Sequence, residues 1–237
     1  MNKLISKFTF PWVPLIAGAF GFFLSRKLYT KATLLKNNHP AGILLLVLSV
    51  AVLTFLAFAV WKLPKTAQYD QVYPKSTSRG IGRCIGAIGI AYTCIVRLSQ
   101  QDVLSVLVLI FGIIAAFCLL FSGTQRIVGI HPHWLLYTGI TVYFMVLGLA
   151  QCRNWGVQTQ VLRYLFCLLG SMFLILASYH HTMLAYNGKN LRSLLFCQGA
   201  ALFFCLVAFP AEYNFFYLTS ALWMLFDTRP TGFSVKE

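Results

Sequence analysis

Five histidines, His39, His131, His133, His180 and His181, are the side chains of this chain best suited to chemistry. His131-Pro132-His133 stands immediately before one apolar run, and His180-His181 lies about one turn before the end of the next. Imidazole is the commonest transition-metal ligand and titrates near neutral pH, so such a grouping points to metal, haem or proton handling, with His131, His133, His180 and His181 as candidate ligands. Their spacing argues the other way. Neighbours on a helix point about 100° apart, so His180 and His181 do not face one ion together, and the nearest carboxylate expected beside them is Asp227. The spaced histidine clusters of membrane di-iron hydroxylases and desaturases are absent. The four rings read more simply as hydrogen-bonding groups at the membrane interface, and no cofactor is expected.

Other reactive patterns are missing. The chain has no GxSxG elbow, no HExxH pair, no GxxxxGK[ST] loop and no paired carboxylates within an apolar run. Its five acidic residues, Asp70, Asp102, Glu212, Asp227 and Glu237, all fall in loops or at helix ends, so none is positioned at mid-membrane to carry a coupling ion. None of the seven cysteines forms a CxxC pair, which argues against a zinc site. The balance is against an enzyme.

The elements that hold these residues are set by lipid. Of 237 residues, 59% are hydrophobic and only 10% charged, with a mean hydropathy of +0.75. Ala41 to Trp61 contains no ionisable side chain, and an apolar run of about 20 residues matches a hydrocarbon layer about 30 Å thick. Apolar length predicts spans over 8–24, 41–61, 81–96, 103–121, 134–150, 161–186, 193–209 and 213–226. Residues 1–237 therefore read as a single integral membrane domain: an all-α, polytopic transmembrane helical bundle of about eight spans, or seven if the last does not cross. The segments 81–96 and 213–226 reach only about 21 to 24 Å at helical rise and invite tilt or local thinning.

Boundary residues agree with this division. Ser99 and Asp102 suit the start of the fourth span, Asn187-Gly188 suits a turn between the sixth and seventh, and Pro210 ends the seventh. The excess of basic residues, +14 in formal charge, collects in loops that hold orientation and attract anionic lipid head groups, so lipid rather than nucleic acid is the expected partner. Twelve cations, Lys3, Lys7, Lys62, Lys65, Lys75, Arg79, Arg83, Arg126, Lys189, Arg192, Arg229 and Lys236, fall on the side of the N-terminus. Seven, Arg26, Lys27, Lys31, Lys36, Arg97, Arg153 and Arg163, fall opposite. The positive-inside rule then sets both termini in the cytoplasm of an inner or plasma membrane.

Two faces stand out within the spans. Gly82, Gly86, Gly89 and Thr93 make a strip of minimal volume at helical spacing, a seam for another helix. Gln198 is an amide deep in an apolar run and must find partners across the bundle, because an unpaired amide in hydrocarbon costs several kcal/mol. The leading reading is a subunit, scaffold or modulator of a membrane assembly, with a membrane-protein partner. Next comes a small-solute or lipid-like transporter, which requires a polar cavity lined by Gln198, Tyr92, Thr93, Thr141 and Ser171. A metal- or haem-dependent enzyme is third.

Overall fold

The computed structural model describes residues 2–30, 40–61, 63, 69–97, 102–155, 161–187, 190–210 and 214–228. His39, Ser99, Gly188 and the cations of 31–39 lie outside them. The described residues form α1 (Asn2–Thr30), α2 (Pro40–Trp61), a single-turn α3 (Tyr69–Val72), α4 (Thr77–Arg97), α5 (Val103–Val128), α6 (Trp134–Trp155), α7 (Val161–Asn187), α8 (Leu191–Ala208) and α9 (Asn214–Thr228). The protein is an all-helical bundle, and six of its helices, α2 and α4 to α8, contain stretches long and apolar enough to cross a membrane.

The helices close into a ring. α4 packs on α5, α5 on α6, α6 on α7, α7 on α8, α8 on α9, and α9 returns to α4. α1 lies along α8 outside the ring and carries α2, which also touches α8. The Ser25 hydroxyl of α1 donates to the Val207 carbonyl of α8 at 2.7 Å, one of the polar fastenings that substitute for the hydrophobic effect between helices in lipid. α2 has a different surface. Ile43, Val47, Val50, Phe58 and Trp61 point outward and exposed, as a helix bordering acyl chains requires.

Closure depends on the glycine strip. A Cβ at Gly82 would lie 2.5 Å from Cβ of Phe226, and one at Gly86 would lie 3.2 Å from Cβ of Trp223, so the strip is the surface on which α9 rests. Thr93 continues it with its hydroxyl returned to the Gly89 carbonyl at 2.9 Å. A glycine also ends α5: Gly129 has φ 95°, and both Gly129 and Ile130 donate to the Gln125 carbonyl at 2.8 Å. This turn uses the left-handed conformation that glycine adopts without steric cost.

Helix limits alter two expectations. α4 starts at Thr77 and α5 continues to Val128, so Arg79, Arg83 and Arg126 are helical and inside the bundle rather than in loops, exposed by 1%, 0% and 2%. Without them the cations counted on the side of the N-terminus narrow from twelve to nine, against seven opposite. Asp102 occupies the N-cap position of α5 but makes no capping hydrogen bond, and its carboxylate pairs with exposed Arg153 at 3.4 Å.

Candidate functional site

Short connections make successive helices of the ring antiparallel, so the starts of α4, α6 and α8 meet the ends of α5, α7 and α9 at one end of the bundle. The charged interior is built there. Arg79 and Arg83 stand one turn apart on α4, Trp223 and Asp227 one turn apart on α9, and Arg126 lies in the last turn of α5. Tyr137 comes from the first turn of α6, His181 from α7 and Gln198 from α8. Across the same end lies α3, followed by Tyr73, which brings two further buried phenols, Tyr69 and Tyr73.

Asp227 is the hub. Its Oδ1 lies 3.5 Å from Nε of Arg83, while Oδ2 accepts from Nε1 of Trp223 at 2.8 Å and lies 3.4 Å from Nε2 of His181. The His181 ring is held between two phenol rings, Tyr73 at 4.9 Å and Tyr137 at 5.0 Å between centroids. Nε2 of Gln198 lies 2.8 Å from the same His181 nitrogen and donates to the Tyr73 hydroxyl at 2.9 Å. One imidazole nitrogen cannot donate to Asp227 and accept from an amide at once. Protonated at Nε2, His181 would donate to Asp227 and require the amide to present Oε1, the atom left without a hydrogen-bond partner, so the amide orientation follows the imidazole tautomer.

The arginines secure α3 and the residue after it. Arg79 Nη1 donates to the Val72 carbonyl at 3.1 Å, and Arg126 Nη1 donates to the Tyr73 carbonyl. Their guanidinium carbons stack over aromatic faces, Arg79 at 4.9 Å from the Tyr73 centroid and Arg126 at 4.4 Å from that of Tyr69. Arg83 Nη1 donates to the Tyr137 hydroxyl at 2.6 Å, which in turn lies 2.5 Å from the Tyr69 hydroxyl. Burial pushes the Tyr73 phenol well above its ordinary range, so it remains neutral and offers no compensating charge. Among the described side chains, three guanidinium groups and one carboxylate thus share this end of the bundle, and Asp227 pairs with Arg83.

The residues singled out from sequence are dispersed relative to this cluster. His181 and Gln198 belong to it. His131 is exposed at its edge, with its ring 4.6 Å from Tyr69, whereas His133 lies tilted beside Trp134 and His180 edge-on to Tyr179. Among the described residues no three metal-type ligands come together. The expected mid-depth cavity does not assemble either: Tyr92 points outward beside Phe215, Thr141 bonds to the Tyr137 carbonyl, and Ser171 bonds to Gln151 at 2.7 Å. Gln151, Ser171 and Tyr217 make a second polar knot about 15 Å from the first, ten residues along α7 and α9 at helical rise. Buried Phe144, Leu147, Leu174 and Ala177 lie between the two knots along α6 and α7.

Arg79, Arg83 and Arg126 were missed by reading cations as loop residues, although a usable signal was present. Arg79, Arg83, Gly86 and Ile90 run along one helical face, and a face whose glycines pack against another helix carries its arginines inward too. Comparison with protein-family models, curated proteins and solved structures finds no match to this chain.

Proposed function

We propose that this chain binds a small solute or lipid head group at the arginine–tyrosine cluster, at one end of the bundle, and not in the mid-depth cavity that transport requires. One observation supports the reading above the others: buried polar atoms of the cluster, including Nε and Nη2 of Arg126, Nη2 of Arg83 and Oε1 of Gln198, have no hydrogen-bond partner among the described residues. A polar core serving only to hold helices together is normally fully paired, because each buried group left alone costs about 1–3 kcal/mol. Sites that must accept a ligand retain this cost. The scaffold or subunit role does not call for unpartnered buried donors such as Nε and Nη2 of Arg126 inside the ring.

Arg126→Gln separates these readings. Glutamine can still donate to the Tyr73 carbonyl while the charge is removed, so the melting temperature of the purified protein in mild detergent is expected to hold or rise. A drop of about 6 °C or more would make the cluster structural and return the scaffold reading to first place, with a copurifying membrane protein as its mark.

With both termini in the cytoplasm, the buried cluster lies at the cytoplasmic end of the bundle and the far end of α6 faces outward. Cys152 sits at that end and is exposed, whereas the other described cysteines are buried or half-buried. An impermeant maleimide added to intact cells is expected to label Cys152; protection until the cells are lysed would reverse the orientation.

A further inference from the structure

We infer that α3 and Tyr73 form a strap that closes the cluster and has to swing away from the end of the bundle before a ligand enters. The strap's role as a gate rests on the reading of the cluster as a binding site.

With the strap in place the site is shut. Arg79, Arg83, Arg126, His181 and Gln198 are each exposed by 2% or less, so a solute or head group reaches them only after an element moves. The strap is the element laid across them. The Tyr73 ring stacks on His181 of α7 and its hydroxyl accepts from Gln198 of α8, while the Tyr69 hydroxyl lies 2.5 Å from that of Tyr137 on α6. The carbonyls of Val72 and Tyr73, at the end of a helical turn that cannot satisfy them, accept from Arg79 of α4 and Arg126 of α5. One turn thus touches cluster side chains from five helices of the ring. It offers them two phenols and two carbonyls where a ligand would offer its own polar groups.

The strap is also the element whose departure costs least. α4 to α8 are apolar enough to cross a membrane, where an opened backbone finds no water. α3 has four residues and is closed by a backbone hydrogen bond from Tyr73 to the Tyr69 carbonyl at 2.8 Å, and a turn this short does not sustain itself in isolation. The hydrogen bonds that hold it to the ring come from side chains, and water at the end of the bundle replaces them. Opening also rehydrates guanidinium groups whose burial is unfavourable, which offsets part of the contacts given up. The strap therefore opens locally while the ring stays closed.

Thiol labelling of the full chain in mild detergent distinguishes local opening from opening of the ring. In a Cys152→Ser background, which removes the exposed thiol, Val72→Cys places a thiol on the strap at a position exposed by 3%; Cys197, beside Gln198 and exposed by 4%, is the internal reference. With N-ethylmaleimide, and each site followed by peptide mass spectrometry, position 72 is expected to label about tenfold faster than Cys197 or more. Tyr69→Phe removes the hydroxyl contact to Tyr137 and keeps the ring under Arg126, so it should speed labelling at position 72 by about threefold or more and leave Cys197 unchanged. Hydrogen exchange reads the chain without substitutions: the Tyr73 amide should exchange about tenfold faster than the Leu194 amide, bonded to the Asn190 carbonyl at 3.0 Å, after correction for intrinsic rates. Equal labelling at positions 72 and 197, equal protection of the two amides, or labelling at position 72 that Tyr69→Phe leaves unmoved overturns the inference. The binding reading is decided separately, by the melting temperature of Arg126→Gln. A strap that stays shut while that variant keeps its stability leaves the site and removes this route to it; a strap that opens while the variant is destabilised leaves the motion and removes the site.

Discussion

Asp227→Ala is expected to destabilise the bundle by about 3 to 5 kcal/mol, the cost of leaving a buried charge without its partner. Three groups lose an anion together: the Arg83 guanidinium at 3.5 Å, the Trp223 indole at 2.8 Å and the His181 imidazole at 3.4 Å. Arg83 and Asp227 both have fully buried side chains, so no water replaces the carboxylate at the surface. Asp227→Asn separates the contributions, because an amide oxygen still accepts from Trp223 while the charge is gone. Most of the loss should persist in that variant. The double change Arg83→Met with Asp227→Leu removes both charges and is expected to recover the larger part of the stability, since apolar replacement of a buried ion pair is often neutral or better. Thermal unfolding of the parent, Arg83→Met, Asp227→Leu and the double variant in one detergent forms a double-mutant cycle, and additive losses from the two single changes would reject the pairing.

Gly82→Leu is the second large effect, and it acts on ring closure. A first side-chain carbon at Gly82 already meets Phe226 Cβ at 2.5 Å and Phe226 Cγ at 2.9 Å, and a leucine extends three carbons further into α9. Inserting volume into a packed seam usually costs about 1–3 kcal/mol; here the obstruction is the root of an aromatic side chain rather than a flexible tip, which favours the upper end. Displacing α9 would also carry Asp227 away from Arg83, so the two predicted losses are coupled. Gly148→Ala is the control. Its added carbon would sit 3.5 Å from Ile175 Cδ1, an ordinary contact, and should leave stability unchanged or slightly improved. Size-exclusion chromatography of both variants in detergent reads the outcome: a Gly82→Leu protein that elutes and melts like the parent would remove the seam from the account of closure.

Much of this architecture is legible before any coordinates. Ala41 to Trp61 has one stable solvent, and a helix is the one local structure that lets such a run satisfy its backbone there. Gly82, Gly86 and Gly89 announce a helix contact, because little but close approach explains three absent side chains on one face. Gln198 announces that partners exist. It does not name them, since Tyr73 is 125 residues away and His181 comes from a different helix.

Hydropathy is a property of a residue and its near neighbours along the chain, so it resolves which segments enter lipid and roughly where they end. It does not resolve rotation about the helix axis or the order in which helices meet. Arg79, Arg83 and Arg126 show the consequence: a cation near a span end has a favourable place in the head groups and another inside the bundle, and the same local sequence suits both. Ring closure decided between them, because α9 returning to α4 brings Asp227 to Arg83, and α3 folding across the end brings the carbonyls of Val72 and Tyr73 to Arg79 and Arg126. His180 and His181 differ for the same reason, one half-buried beside Tyr179 and the other held between two phenols. Composition and periodicity established a membrane bundle with a packing seam; the concentration of buried charge at one end depends on contacts between helices distant in sequence, which only the closed ring supplies.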